Sequence, residues 1–592
     1  MMTALNIALV QILYLIVLYI PMQSRVLRLP RSTQLGMGYL AANLLALATG
    51  YTLDIAGIFT SIRMFYAWLT ICLFINVTAW PDWRIIGWPW RHWPVRGPAL
   101  WVVLILAMTT WIRLAAPVMN AALAGVDSYN FVNFYTWILA DQKAIHYYPS
   151  GFALITAMAP VAIQPYEAAR WAPHLVFLAC QVAAFGFWQR LVGARAAIGL
   201  TLCIGTAWFL YPVTAIYPHF IQWTTAYVCV PAVVFVYARL VTHPSTAPLL
   251  WGISINALFA MTSAYFSIFI NAVCAFIAVM MFLYRRLSAL ELMRTALLAM
   301  TPVLMLAFFI GVITSHFWHD WDTGIAVQSH LIAEEGRGQG HSPDPGEADP
   351  LLQIIASFLL PRQNVVPHAR WLVYAGLLGM AMWIWRRYSS KRHSGVRIIA
   401  GVVLVSTLSA MTGMIELPAW EGRNVFIAIF CGLALLIWSA NRLISACGLR
   451  LIKTTGGMIL VMAIVAGPSL LWPPMIGRNV PIAPVTQPRF RPGDNRVLEE
   501  LCRTRPDSQK KTMALLLQPG EPAALMQNLL RLKPHAWRDA FAGYTLFSTD
   551  DPRAALEADA VLAPVEWLEK QGRPAPFEVH AEGPGYVLLM RP

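Results

Sequence analysis

One carboxylate stands apart in this sequence by where it falls. Asp127, in Gly125-Val126-Asp127-Ser128-Tyr129-Asn130, follows the hydrophobic segment from Ala99 to Met119 and precedes the aromatic run His146-Tyr147-Tyr148-Pro149. An acid at the edge of an apolar span is costly to hold, and in a helical bundle such acids mark functional sites. A carboxylate placed there, among Tyr and Trp, can act as a general base toward a hydroxyl within hydrogen-bond reach. Asp is also a common helix N-cap, and Asp127 can cap a helix that starts at Ser128; the two roles are compatible at different times.

A second group of polar residues gathers later. His316, His319, Asp320, Asp322, His330, Glu334 and Glu335 fall within twenty residues of one another. Asp320-Trp321-Asp322 is an acid-x-acid pair whose carboxylates point the same way if the chain is extended, and hard oxygen ligands of this kind hold a divalent cation such as Mg or Mn. Acids in a solvated loop and histidines at a membrane interface are the plainer alternatives for these positions. The following stretch, Gly336 to Gly346, is polar and rich in Gly and Pro, which suits either a mobile lid or a passive loop. Arg423, in Glu421-Gly422-Arg423-Asn424, can hold a phosphate through paired hydrogen bonds, or serve as an ion-pair partner for Glu416 or Glu421. His146, Tyr148, His219, Arg362 and Arg370 are further candidates for an anionic pocket.

The elements that must position these residues are transmembrane helices. Of 592 residues, 58% are hydrophobic and only 12% charged, with mean hydropathy +0.57. That balance excludes a water-soluble globule and indicates an all-α polytopic membrane bundle. Apolar stretches near 4–22, 35–50, 62–79, 99–117, 172–189, 196–214, 220–240, 249–264, 266–284, 295–315, 371–386, 397–415, 424–441 and 455–472 predict about 13 to 15 spans. Residues 249–284 fit two short helices or one long kinked one. Residues 150–165 begin with Ser150-Gly151 and end between Pro160 and Pro165, which predicts a half-buried or re-entrant helix. The first span has no basic leader and no small-residue cleavage site, so it is expected to stay as a helix.

Loop charges orient the bundle, because Lys and Arg resist translocation. Arg25, Arg28 and Arg31, then Arg84, Arg91 and Arg96, then Arg190 with Arg195, and the groups at 285–294, 386–397 and 442–453 all fall on one side if 150–165 does not cross. Loops 118–171, 211–219, 317–370 and 416–423, and the tail from Met475, are then extracytoplasmic. The formal charge of +14 resides in inner loops facing anionic lipid, so membrane lipids and not nucleic acid are the expected partners. Trp80, Trp83, Trp88, Trp90 and Trp93 read as interfacial anchors in one inner loop. Six of the eight cysteines fall in spans, one in an inner loop and Cys502 alone outside, so no outer disulfide forms within the chain.

Three regions result: N-terminal helices at 1–98, a membrane module at 99–475, and a tail at 476–592. The tail carries a strand at 512–517, a helix-like stretch from Ala523 to Leu532 and a strand near 560–562, the pattern of a small C-terminal α/β domain.

The early loop with Gly-Val-Asp-x-Tyr and then Tyr147-Tyr148-Pro149-Ser150-Gly151, the later acidic pair Asp320-Trp321-Asp322, and the C-terminal outer domain resemble the C-type fold membrane glycosyltransferases. That superfamily includes oligosaccharyltransferases, protein mannosyltransferases, aminoarabinose transferases and arabinofuranosyltransferases. The Tyr-Tyr-Pro-Ser-Gly stretch is similar to the Tyr-Pro-Pro-Gly of the arabinofuranosyltransferases, with Ser150 in place of the second proline, and nothing matches the Trp-Trp-Asp signature of the oligosaccharyltransferases. The resemblance covers residues 99–475. It implies transfer of a sugar from a polyprenyl-phosphate donor to a glycan or lipid acceptor, with Asp127 as the base, at the outer face of a bacterial inner membrane. A transporter or flippase of lipid-linked saccharides is the rival of another class, and it predicts ionisable residues in mid-membrane at broken helices.

Overall fold

In a computed structural model of the chain, the structure describes residues 2–19, 21–23, 31–79, 110, 114, 134–135, 137–139, 142–145, 151–206, 224–242, 246–263, 265–283, 288–309, 367–388, 393–416, 430–442, 511–516, 544–549, 555–571, 577–583 and 586–591. The helices are α1 (Met2–Ile16), α2 (Arg31–Ile55), α3 (Ser61–Thr78), α4 (Gly151–Ala157), α5 (Pro165–Val192), α6 (Ala194–Thr206), α7 (Ala226–Thr242), α8 (Thr246–Ser263), α9 (Tyr265–Leu283), α10 (Ala289–Phe308), α11 (Pro367–Arg387) and α12 (Ser394–Glu416). Residues 430–442 add a further helical stretch. Among the described residues, α3, Glu167–Val192 and α10 are long and apolar enough to cross a membrane, and shorter apolar helices accompany them.

What these helices expose identifies their solvent. On α1, Leu5, Leu9, Ile12 and Ile16 are exposed, and on α10 so are Leu290, Met293, Leu297, Met300, Leu304 and Phe308. Both sets recur at three- and four-residue intervals, so each forms one continuous apolar stripe along a helix. Water would not tolerate apolar stripes of this length on the surface of a bundle, whereas lipid tails do. The protein is a multi-pass membrane bundle.

Inside the bundle, helices meet through small residues and buried hydroxyls. A Cβ on Gly186 of α5 would collide with the Ser32 carbonyl of α2, and one on Gly36 would collide with the Ala183 carbonyl. The glycines therefore let α2 and α5 approach backbone to backbone, a contact that small residues permit in membranes. Thr33 Oγ1 donates to the Gly186 carbonyl at 3.0 Å, and Ser32 Oγ donates to Gln189 Oε1 at 2.6 Å. Tyr39 OH donates to Gln11 Oε1 at 3.0 Å, and Trp68 Nε1 to the Ala42 carbonyl at 3.0 Å, which join α1 and α3 to α2.

Residues 249–284 form two antiparallel helices. Asn256 of α8 and Asn271 of α9 exchange side-chain hydrogen bonds at 2.7 and 2.9 Å. Fifteen residues of one straight helix would put them about 22 Å apart, so the chain must reverse between them. Asn256 Nδ2 also reaches the Leu298 carbonyl of α10 at 3.1 Å, and Tyr237 OH of α7 points at Asn271 Oδ1 at 3.4 Å. One amide pair thus ties four helices together.

The C-terminal region forms a five-stranded sheet in the order β2-β1-β3-β5-β4. Its strands are β1 (Lys511–Leu516), β2 (Tyr544–Thr549), β3 (Ala560–Pro564), β4 (Glu578–Glu582) and β5 (Tyr586–Met590), with α13 (Val565–Gln571) after β3. β1 is parallel to both β2 and β3, and β5 is antiparallel to both β3 and β4. All five residues of β3 are buried. Val561 and Ala563 pack with Val587, Leu589, Ala514 and Phe577, whereas Ala560, Leu562, Tyr586 and Leu588 join the apolar core of the helices. Burial on both faces explains the unbroken apolar run that marked β3 in the sequence. The expected helix-like stretch 523–532 lies outside the described residues.

The reciprocal amide pair makes a test. Asn256→Leu alone strands the Asn271 amide and should cost about 1–2 kcal/mol; the double variant Asn256→Leu/Asn271→Leu strands nothing and should cost less than either single change. Thermal unfolding of the detergent-purified variants measures the cycle.

Candidate active site at the re-entrant segment

The stretch leading from Asp127 to α4 is the part of the sequence richest in chemistry, and the described part of it is held to the bundle by named side chains. Helical residues 134–139 end in a tight reversal. Gln142 takes the left-handed backbone conformation, φ 54°, and the Lys143 amide returns to the Trp137 carbonyl at 3.1 Å. Trp137 Nε1 donates to the Ile145 carbonyl at 2.8 Å, and the Lys143 ammonium lies over the Trp137 ring.

The reversal is fixed to the bundle by Asp54, next to last in α2. Asp54 Oδ2 accepts the Ala144 amide at 2.9 Å and the Ile145 amide at 2.7 Å. Asp54 lies past the apolar stretch 35–50 and is half-buried. Burial pushes its carboxyl above the usual carboxylate range, with the two amides and the Lys143 charge pulling the other way.

Five residues further on, the chain enters the bundle as α4, and every residue of that helix is buried. A Cβ on Gly151 would meet the Met261 carbonyl oxygen of α8 at 2.5 Å, so only glycine fits at the point of entry. Tyr14 OH of α1 donates to the Ile155 carbonyl at 2.9 Å, and Tyr135 OH pairs with Thr156 Oγ1 at 2.5 Å. The chain then returns to the end it came from. Thr3 Oγ1, at the start of α1, accepts the Gln164 amide at 3.5 Å, while Tyr14 lies about three turns further along that helix. A short buried helix with entry and exit at one end of the bundle is the re-entrant element expected for 150–165.

At the exit, α5 begins with Pro165, and Glu167 in its first turn accepts from Arg170 Nη1 at 2.8 Å and from Trp171 Nε1 at 2.9 Å. Asp54 and Glu167 are therefore both engaged, Asp54 with backbone amides and Glu167 with an ion pair. At the far side of α4's entry, Thr225 Oγ1 meets Thr262 Oγ1 at 2.9 Å and Ser263 Oγ at 3.0 Å. These hydroxyls are buried near the outer ends of α7 and α8.

The residues singled out in the sequence, Asp127, His146, Tyr148, His219, Asp320, Asp322, Glu334, Arg362 and Arg423, lie outside the described residues. The structure describes the frame on either side of them: Ile145, the neighbour of His146, is fixed by Asp54, and Gly151, three positions after Tyr148, is fixed by α8. Among the described residues no group of three or more His, Cys, Asp or Glu side chains gathers to hold a metal ion. Sequence reasoning missed Asp54. The signal that picked out Asp127, an acid at the edge of an apolar span, applies equally to Tyr51-Thr52-Leu53-Asp54-Ile55.

Replacing the tether has graded consequences. Asp54→Ala strands two amides and should destabilise by about 2 kcal/mol, whereas Asp54→Asn keeps one acceptor oxygen and should cost less than half of that. The raised carboxyl also gives a sign. The stability it contributes is fully present below the ordinary carboxylate value and is lost as pH rises through the raised value, because the folded state holds the proton longer. Unfolding midpoints measured from pH 4 to 7 should fall over that window in wild type more than in Asp54→Asn.

No protein-family model matches the chain, and no curated protein matches it. Among solved structures it is similar to the Archaeoglobus fulgidus oligosaccharyltransferase in the apo form, at 10% identity and a TM-score of 0.42, covering 81% of this chain and 70% of that one. It is similar also to that oligosaccharyltransferase in complex with Zn and sulfate, at 10% identity and a TM-score of 0.43, covering 79% and 68%. A further similarity is to ArnT from Cupriavidus metallidurans bound to undecaprenyl phosphate, at 12% identity and a TM-score of 0.31, covering 83% and 97%.

Proposed function

We propose that the protein is an integral-membrane glycosyltransferase that moves a sugar from a polyprenyl-phosphate-linked donor to a glycan or lipid acceptor on the extracytoplasmic face. The observation that supports this most directly is the anchoring of the loop that carries Asp127. Its second half is tied to α1, α2 and α8 at the edge of the bundle, where a membrane-embedded donor and a water-borne acceptor would meet. Pre-set geometry of this kind is what converts two bound reactants into an effectively unimolecular pair.

In the proposed reaction Asp127 takes the proton of the acceptor hydroxyl as its oxygen bonds to the anomeric carbon. The bond from that carbon to the donor phosphate breaks, and the phosphate leaves with the electron pair. Arg423 would meet the growing negative charge with paired hydrogen bonds. His146, Tyr148, His219, Arg362 and Glu334 would line the sugar and phosphate pocket. Asp320 and Asp322 are the donors that would hold a divalent cation, Mg or Mn, and two carboxylates suit such a hard ion; it would supply positive charge beside the phosphate. The donor's prenyl chain would lie in a groove near the apolar segment Leu351 to Leu360, and the tail at 476–592 would bind the acceptor.

Charge placement favours this reading over transport. Every Asp, Glu, Lys and Arg in the bundle's described helices falls within the first or last six residues of its helix. The polar groups at mid-helix include Asn256 and Asn271, which are neutral and satisfied by each other. A transporter would hold ionised groups at that depth.

The test is sugar transfer by purified protein from radiolabelled polyprenyl-phosphate sugars, wild type beside Asp127→Asn, with and without chelator. Loss of the base should lower turnover by about a hundredfold or more, and chelation should lower it too. Full transfer by Asp127→Asn would remove Asp127 from the chemistry, and indifference to chelator would remove the metal from Asp320 and Asp322.

A further inference from the structure

The end of the bundle opposite Asp54 carries an arrangement that folding alone does not require. Helices α5 and α7 run parallel: Phe177 stacks edge-on against Tyr227 with centroids 4.7 Å apart, and ten residues along α5 Phe187 meets Phe235 at 5.8 Å. Arg190 lies three residues beyond Phe187 and Arg239 four beyond Phe235, each in the last turn of its helix. About one turn beyond the Phe187–Phe235 contact, the two like charges repel each other across the parallel helices. A helix C-terminus favours a nearby cation, but that preference acts on each arginine separately and gives no reason to place them together.

Nothing described at this end neutralises the pair. The one ion pair among the described residues is Glu167–Arg170, at the other end of α5. Glu291 shares the basic end, since Phe309 at the far end of α10 packs on Tyr51 near Asp54. Its carboxylate, however, caps its own helix: Glu291 Oε2 accepts from the Ser288 amide at 3.1 Å and from Ser288 Oγ at 3.0 Å. Beside Arg190, the Gln189 side chain accepts from Ser32 Oγ at 2.6 Å. That bond occupies the carboxamide oxygen and leaves the NH2 group as the side chain's remaining donor. The N-terminus of α2, where a helix favours negative charge, is held against the same spot by Gly186.

We infer that Arg190 and Arg239, with Gln189 and the start of α2, form a site for a phosphate monoanion or diester supplied by the headgroup of an anionic phospholipid in the leaflet at the basic end of the bundle. Two forked guanidiniums from adjacent helices can share the phosphate oxygens between them. The bound phosphate would replace the repulsion of the arginines with attraction to both. The site lies at the opposite end from the proposed transfer site and does not depend on that reading.

The experiment compares wild type, Arg190→Gln/Arg239→Gln and Arg386→Gln/Arg387→Gln, the last being another basic pair ending a helix, α11. Each is placed in nanodiscs of phosphatidylcholine with increasing phosphatidylglycerol, and separately in pure phosphatidylcholine with inorganic phosphate. Phosphatidylglycerol should raise the unfolding midpoint of wild type in a dose-dependent way. Losing both arginines should weaken that response about thirtyfold in lipid fraction, at roughly fivefold for each arginine, and the α11 pair should leave it near wild type. In pure phosphatidylcholine Arg190→Gln/Arg239→Gln should lie close to wild type, because the repulsion removed offsets the favourable charge–dipole interaction lost at each helix end. Equal loss in both double variants would reduce the effect to diffuse surface charge and overturn the site. An equal response to millimolar inorganic phosphate would assign the pocket to a soluble anion instead of a lipid. A midpoint of Arg190→Gln/Arg239→Gln well below wild type without anionic lipid would make the arginines structural, which also defeats the proposal.

Discussion

Backbone that enters an apolar bundle and leaves by the same end must have its amides and carbonyls met by something other than water. A helix leaves four N–H groups and four carbonyls unpaired at its two ends, so in the seven residues of α4 more than half of the polar backbone groups are terminal. Each unpaired group in such surroundings costs on the order of a few kcal/mol. The structure answers at one of these carbonyls with a side chain from another helix, Tyr14 for Ile155. Asp54 does the same for the amides that lead into the segment. The positions of α1, α2 and α8 around α4 follow from this requirement, and the geometry of the first outer loop follows from theirs.

The same economy sorts charge along the helices. Ionised side chains stay near helix ends, where headgroups and water solvate them, and the middle of the bundle is joined by neutral groups that satisfy one another, of which the Asn256–Asn271 pair is the fullest case. The two ends then diverge. At one, Asp54 and Glu167 are each bound to donors of the chain itself; at the other, Arg190 and Arg239 end neighbouring parallel helices, with no ion pair to either among the described residues. Acids already satisfied and cations left without a counter-charge place very different demands on the lipid at each surface.

How much of this the sequence disclosed depended on how strongly a single physical signal dominated. Spans such as 62–79 and 397–415 coincide closely with α3 and α12, because twenty apolar residues leave a chain little choice. Residues 150–165 were legible as re-entrant because Gly151, Pro160 and Pro165 interrupt an apolar stretch too short to cross. By contrast, 249–284 was open between one helix and two, since apolar length carries no information on where a chain reverses; that depends on a pairing between residues fifteen apart. In the tail, β3 showed as an apolar run because both its faces are buried. β4 did not, because Glu578, His580 and Glu582 alternate outward and leave only two half-buried positions. Asp54 was overlooked because its partners are backbone amides ninety residues away, and amides leave no mark in a sequence.

Asp54 also bears on which acid can do chemistry here. A carboxylate whose oxygen accepts two amides is held in place by them, and moving it to meet a substrate hydroxyl would strand both donors. Glu167 is bound in the same way by Arg170 and Trp171, and moving it would break its ion pair and its bond to the indole. An acid that builds the frame is thus poorly suited to react within it. The base of a transfer reaction at this end of the bundle has to come from a residue the frame does not consume. That demand fits the assignment of the base proposed above to Asp127, a residue other than Asp54 and Glu167: the carboxylate that positions the chain and the carboxylate proposed to react are separate residues, because one group cannot serve both demands at once.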